Sequence, residues 1–211
     1  MNSELDGGNI RASLPYRIRL PLTAVCLLSG LILTILSEPR FPSESEHHSL
    51  FTVGGFSSLV MGILLRMWAA ASISGRKSEQ LVTTGPYSLT RNPLYLGTLL
   101  IVTGFLLLWH SATMVVLTIP PILIYVLGVV PAEERVLAVR HGDRFVEYAR
   151  RVPRWIPVFR QYVAEPSPAF NTASFWKEVQ SAAWWVSLGV LSHVLCELRA
   201  APWWTEPLRL P

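Results

Sequence analysis

The residues able to do chemistry fall in two short stretches. The first is LVTTGPYSLTRNPLYLG, Leu81 to Gly97, which carries Tyr87, Arg91 and Asn92 to the edge of an apolar run. The second opens after Pro131 with the acidic pair Glu133-Glu134. A third charge, Arg66, lies inside an apolar block. Asn92-Pro93 is a helix-start signal, with Asn as N-cap and Pro at the first helical position. Such a start attracts anions, while paired carboxylates attract an amine or another cationic centre. Together these residue types suit a small molecule that carries both charges. Each also has a plainer use. Tyr87 and Tyr95 fit an interfacial aromatic belt, Arg91 fits a headgroup anchor, and Arg66 can snorkel beside Trp68. Glu133 and Glu134 fit the first turn of a helix, where the dipole favours acids.

The elements that must position these groups are apolar blocks. The chain has 211 residues, of which 15 % are charged, and the charges cluster between blocks that approach the ~20 residues needed to cross a bilayer. The blocks run over 20–36, 50–73, 94–109, 112–130 and, more weakly, 175–195. An interfacial helix is the alternative for the last one. The expected fold class is therefore all-α: a polytopic membrane helical bundle of about five transmembrane helices. His110-Ser111 makes blocks three and four a tight hairpin. Pro120-Pro121 is expected to kink or break block four. Residues beyond Pro131 read as a helix ended by Gly142 and a second short helix over Phe145 to Arg151, together a C-terminal cytoplasmic helical segment. Residues 1–19 read as a flexible cytoplasmic tail, 20–160 as the membrane core, with binding segments at 75–97 and 131–160, and 161–211 as a linker plus the last apolar helix. No internal repeat is present.

The net charge of +4 reflects Lys and Arg in loops beside apolar blocks, as the positive-inside rule requires. Arg17 and Arg19, Arg76 and Lys77, and the run from Arg135 to Arg160 mark one side. Glu38, Glu44 and Glu46 mark the other. The N-terminus and the polar threshold at Tyr87 are thus expected in the cytoplasm. No basic face is interleaved with aromatics, so nucleic-acid binding is not expected. Cys26 and Cys196 sit in apolar blocks and read as packing residues. No Cys/His spacing suggests a metal. His47-His48 read as solvated in an outer loop, and His141 reads as a helix end. There is no Gly-rich dinucleotide loop after a strand and no Ser-centred elbow. One ligand that needs an anion site, an amine site and a place for a sulfonium is S-adenosyl-L-methionine.

The order of these residues resembles the signatures of the isoprenylcysteine carboxyl methyltransferase family and its phospholipid methyltransferase-like kin. LVTTGPYSLTRNPLYLG resembles a Gly-x-Tyr, Arg-Asn-Pro, Tyr-x-Gly signature. EERVLAVRHGDRFVEYARRVPRWIP resembles a second one: an acidic pair, an apolar helix, a Gly, spaced Tyr residues and Val-Pro-x-x-Ile-Pro. The resemblance covers about Gly62 to Pro157. It implies an α-helical membrane methyltransferase using S-adenosyl-L-methionine, with cofactor contacts at Leu81, Val82, Tyr87, Asn92, Pro93, Leu94, Tyr95 and Gly97. It places Glu133 as the substrate-site or catalytic acid, Glu134 as its support, and Arg91 as a residue that orders the loop or pairs with an acid. This chain departs from the prenylcysteine enzymes in two places. Asn92 stands where they commonly have His. Val129 stands where they have an Arg that helps bind the substrate carboxylate.

The expected partners are membrane lipid and a lipophilic or small methyl acceptor: a carboxylate, a thiol or a lipid amine. A nicotinamide-dependent reductase related to membrane sterol reductases is one alternative, for which the chain is short. A non-enzymatic membrane module that keeps the fold is another. Oligomeric state is open, because Gly54, Gly55 and Gly62 suit helix contacts within one chain or between chains.

Overall fold

A computed structural model describes residues 14–36, 46–74, 80–165, 172–199, 201 and 203. Among them every regular element is helical: α1 (Leu14–Ile35), α2 (Glu46–Ile73), α3 (Pro86–Leu89), α4 (Pro93–Trp109), α5 (Ala112–Leu123), a π-helical stretch (Ile124–Val129), α6 (Val130–His141), α7 (Asp143–Arg151), a 3-10 turn (Phe159–Gln161) and α8 (Thr172–Arg199). Four of these helices are long and apolar enough to cross a membrane, at Tyr16–Ile35, Glu46–Ile73, Ala112–His141 and Trp176–Arg199, and α4 is a shorter apolar helix. The protein is thus an all-helical, multi-pass membrane protein. Large apolar side chains such as Leu20, Leu50, Leu64, Leu127 and Trp184 are exposed, as lipid-facing residues should be. The expectations for the N-terminal tail, the acidic loop, Arg76 and Lys77, and the middle of the 161–172 linker fall outside the described residues.

The chain forms two compact units, and each helical block contributes by residue rather than by whole element. One unit comprises residues 1–55, 105–140 and 190–211; the other comprises 56–104 and 141–189.

In the first unit α1 packs on α5. The approach is close because Gly30 has no side chain: a Cβ there would lie 2.6 Å from Met114 Sδ. Thr34 and Ser111 share a buried hydroxyl hydrogen bond of 3.0 Å. The α4–α5 connection is as short as its sequence demands. His110 turns the chain with φ 50°, and the Ser111 hydroxyl caps α5 by accepting the Met114 N–H. Around this turn the first residues of α2 and the last of α8 converge. His48 Nε2 is 2.8 Å from Glu197 Oε1, the His48 and His110 rings meet edge-on at 4.5 Å, and Cys196 Sγ is 3.6 Å from His110 Nδ1. These contacts place the start of α2 with the ends of α4 and α8, so α2 runs antiparallel to both. His47 and His48 therefore belong to the first turn of α2 rather than to a loop; His47 is exposed, as expected, but His48 is buried, because a carboxylate on α8 gives its ring a partner. Both cysteines are buried and free.

In the second unit α2 and α4 meet backbone to backbone. A Cβ on Gly62 would lie 2.6 Å from the Gly97 carbonyl oxygen and 2.8 Å from the Ile101 nitrogen. Ser58 Oγ donates to the Leu100 carbonyl at 2.8 Å in the same seam. Small residues at such a crossing are the usual route to tight helix pairing in lipid. Gly189 of α8 gives way in the same manner to Leu59 Cδ1.

Two further expectations are corrected. The first helix starts at Leu14, so Arg17 and Arg19 lie within it rather than before it; the Arg19 guanidinium stacks 3.6 Å from the Tyr16 ring centroid. Pro120-Pro121 does not break block four. The helix continues to His141 through a π-helical stretch whose end is marked by Val130 N–H donating five residues back, to Tyr125 O. The wider turn falls just before the next proline, Pro131, where a regular helix would press the ring against the carbonyl four residues back. In consequence Glu133 sits in a continuing helix and not at an isolated N-terminus, so the dipole reading of the acidic pair loses its basis. The turn at Gly85 leads into a one-turn helix, α3.

Candidate active site

The stretch from Leu81 to Gly97 and the stretch from Phe145 to Val163 belong to one unit, and main-chain hydrogen bonds lace them together. Leu81 and Val82 lead in without regular structure. At Gly85 the backbone takes φ 59° and ψ −135°, a region open to glycine and costly for any residue with a Cβ. This turn lets Gly85 N–H donate to the Val163 carbonyl at 2.8 Å. Ser88 Oγ donates to Gly85 O at 2.6 Å and accepts the Val163 N–H at 3.0 Å. Farther along, Arg91 N–H donates to Pro153 O, and Val158 N–H donates to Leu89 O. Thr90 Oγ1 reaches the Arg154 and Trp155 carbonyls at 3.0 and 3.3 Å, and Asn92 Nδ2 reaches Arg154 O at 3.4 Å. The Tyr148 hydroxyl of α7 donates to Tyr87 O at 2.8 Å.

The two distant sequence signatures are therefore one folded object. Prolines help make this pattern possible: Pro153 and Pro157 keep helix out of the bent second stretch, so its carbonyls and N–H groups remain available for the first. Gly142, at φ 54°, ends α6 and aims α7, as its position in the sequence predicts.

α4 begins at Pro93, and its first main-chain bond runs from Leu96 N–H to Asn92 O. The start of α4 thus stands beside the laced loop, with the positive end of its dipole there. Of the residues expected to touch a cofactor, Leu81, Val82, Tyr87, Leu94 and Tyr95 are partly exposed, and Arg91 with them; Asn92, Pro93 and Gly97 are buried. The surroundings of Gly97 are those of a packing position. A Cβ there would lie 2.7 Å from Arg66 Cγ and 2.8 Å from Gly62 O. Glu133 and Glu134 lie in the other unit, Glu134 buried at 6 % exposure and Glu133 partly exposed. Among the described residues no group of His, Cys, Asp or Glu is arranged to hold a metal ion.

Sequence reasoning missed Ser88, Thr90 and Tyr148 as parts of this structure. Their signal was weak. Each is one of several hydroxyls in its signature, and what sets it apart, a hydroxyl oriented by a main-chain group of the opposite stretch or turn, is visible only in the fold.

Comparisons with known proteins identify the family. Residues 50–144 match the family model of phospholipid methyltransferases. Protein-S-isoprenylcysteine O-methyltransferase B of Arabidopsis thaliana is 30 % identical over 152 residues, which is 64 % of this chain and 73 % of that protein. The nickel-cobalt-cadmium resistance protein NccN of Alcaligenes xylosoxydans xylosoxydans is 28 % identical over 195 residues, 92 % of this chain and 91 % of that one. The cobalt-zinc-cadmium resistance protein CzcN of Cupriavidus metallidurans is 38 % identical over 145 residues, 67 % of this chain and 65 % of the relative. No solved structure matches significantly. The chain belongs to the family of membrane methyltransferases that includes the phospholipid and isoprenylcysteine enzymes.

Proposed function

We propose that the protein transfers a methyl group from S-adenosyl-L-methionine to a lipophilic acceptor at the membrane. The observation that carries this reading is the lacing of the two signature stretches into one hydrogen-bonded loop at the start of α4. The partly exposed Leu81, Val82, Tyr87, Leu94 and Tyr95 would line the cofactor. The start of α4 favours its carboxylate, and the apolar residues beside it suit adenine and the methyl-bearing sulfonium.

The methyl moves by in-line displacement. An acceptor lone pair attacks the methyl carbon, the carbon–sulfur bond breaks, and its electron pair returns to sulfur as the neutral thioether S-adenosylhomocysteine leaves. A carboxylate or thiolate acceptor needs positioning and exclusion of water rather than a base. An amine acceptor must lose a proton, and Glu133 is the residue proposed to take it, supported by Glu134, with Arg91 ordering the loop. The N-terminus and the cofactor loop are proposed to face the cytoplasm, where the cofactor is made.

Binding of labelled S-adenosylmethionine to purified protein tests the cofactor, and transfer to prenylcysteine analogues, long-chain thiols and phosphatidylethanolamine tests the acceptor. Tyr87→Ala should weaken cofactor binding. Glu133→Gln should leave it intact and lower transfer to an amine by roughly 10²-fold or more. Absence of cofactor binding, with no effect of either change on any transfer, would refute the enzyme reading. The long match to two proteins named for metal resistance supports one further reading, that this methyl transfer serves tolerance of cobalt or cadmium. Growth of a strain lacking the gene on those metals checks it, with Glu133→Gln as the complementation control.

A further inference from the structure

A cation deep in an apolar helix is costly and is kept where it has a partner or a task. Arg66 stands on α2 roughly 10 Å along the axis from the helix end at Ile73. Its side chain is held in one place. The stem lies over Gly97, where a Cβ would come within 2.7 Å of Arg66 Cγ. Nη1 donates to Thr98 Oγ1 at 2.6 Å, and Thr98 Oγ1 donates in turn to Leu94 O at 2.9 Å. The guanidinium is thereby fixed about one helical turn, ~6 Å, beyond the start of α4. Its remaining edge faces α8. There Nη2 stands 3.9 Å from Glu178 Oε2, with both side chains about a quarter exposed. That separation lies beyond hydrogen-bond reach, although a guanidinium presents a planar fork that closes readily on two oxygens at once. Glu178 thus balances the charge without occupying the fork.

We propose that Arg66 holds the oxyanion of the methyl acceptor, a carboxylate or phosphate on an apolar tail, and that Glu178 is its resident counter-ion when the acceptor is away. The inference rests on the methyltransferase reading for the identity of the ligand. It also gives a use to two facts that reading leaves over. Position 129, where prenylcysteine enzymes carry an acceptor-binding arginine, is Val in this chain. The C-terminal helix that supplies Glu178 lies outside the residues 50–144 matched by the family model. An apolar tail beside α2 and α8 would lie in lipid, where Leu64 and Trp184 are exposed, and its anionic head would reach Arg66. If the bound carboxylate is itself methylated, its charge is lost in the ester, and Arg66 returns to Glu178 as the product leaves. If the oxyanion is a phosphate, it stays charged and the methyl goes to another atom of the headgroup.

The test is anion-selective binding, which needs no cofactor. Purified full-length protein in uncharged detergent is titrated with dodecanoate, dodecyl phosphate and dodecanol. The wild type should prefer at least one anion to the alcohol by tenfold or more, and the preferred anion distinguishes a carboxylate acceptor from a phosphate-bearing one. Arg66→Gln should abolish the preference, Arg66→Lys should retain part of it, and Glu178→Gln should strengthen anion binding severalfold by removing the competing carboxylate. Thermal unfolding of each variant is followed in parallel. Equal binding of anions and dodecanol by the wild type would overturn the proposal, as would a preference that survives Arg66→Gln. So would loss of all three ligands and of thermal stability together in Arg66→Lys, which would mark a purely structural ion pair. Failure to bind S-adenosylmethionine, with anion selectivity intact, would instead count against the methyltransferase reading alone.

Discussion

Thr90 shows how much one side chain carries at the residue scale. It is 1 % exposed, and its hydroxyl serves two carbonyls of the facing stretch. Thr90→Val keeps the shape and removes the donor. The loss should cost roughly 1–3 kcal/mol, since buried carbonyls lose a partner, and it should weaken cofactor binding more than a distant change of equal cost; thermal unfolding and cofactor titration together check this. His110 makes a pH prediction. Burial, with His48 beside it, pushes its imidazole down to about 4 from an ordinary 6.5. Above pH 6.5 the ring is neutral in both folded and unfolded chains. Between 6.5 and 4 only the unfolded chain takes the proton, so stability falls as pH drops through that window. Unfolding temperatures in detergent at pH 7.5 and 5 should differ, and His110→Asn should shrink the difference.

At the scale of elements, the apolar blocks were legible almost to the residue where strong punctuation bounded them. Asn92-Pro93 gave the start of α4, His110-Ser111 gave the hairpin, and Gly142 gave the end of α6. The errors arose where punctuation is ambiguous. A proline in an apolar helix can break it or be absorbed, and only the surrounding hydrogen bonding decides. Here the helix runs on through Pro120-Pro121 and then through a π-helical stretch before Pro131, which no pattern of residue types announces. His48 misled for a related reason: beside the exposed His47 it reads as solvated until its partner, Glu197, is known from the far end of the chain. The signature stretches were legible as a pair, but the bonds that join them use main-chain atoms, on which sequence is silent. A paired variant tests the π-helical stretch. Deleting Gly128 restores an ordinary helical repeat and forces the Pro131 ring against the carbonyl four residues back, at a cost of about 3 kcal/mol. Adding Pro131→Ala to the deletion should recover most of that loss in thermal unfolding. Equal stability of the two variants would show that Pro131 is not what the wide turn accommodates.

At the scale of the molecule, helix direction fixes the topology. α2 starts where α4 and α8 end, and later in its course Arg66 meets the early residues Thr98 and Glu178 of those same helices. α8 is therefore predicted to cross the membrane rather than lie along its surface. With α1, α2, α4, the α5–α6 helix and α8 each crossing once, the two chain ends are predicted on opposite sides of the membrane. Reporter fusions at residue 1 and residue 211 should show opposite compartments, with the N-terminal one cytoplasmic; the same compartment for both would remove α8 from the set of crossings.

The lacing between Gly85–Asn92 and Pro153–Val163 also has a consequence for how the protein is made. Its acceptors and donors at Pro153, Arg154, Val158 and Val163 emerge from the ribosome only after the whole α4–α5 hairpin has been threaded into the bilayer. A nascent chain arrested at residue 144, where the match to the family model ends, holds every residue expected to touch the cofactor, yet it has nothing to fasten them. The loop proposed to bind the methyl donor is thus fastened late in translation, once residues 145–163 have followed.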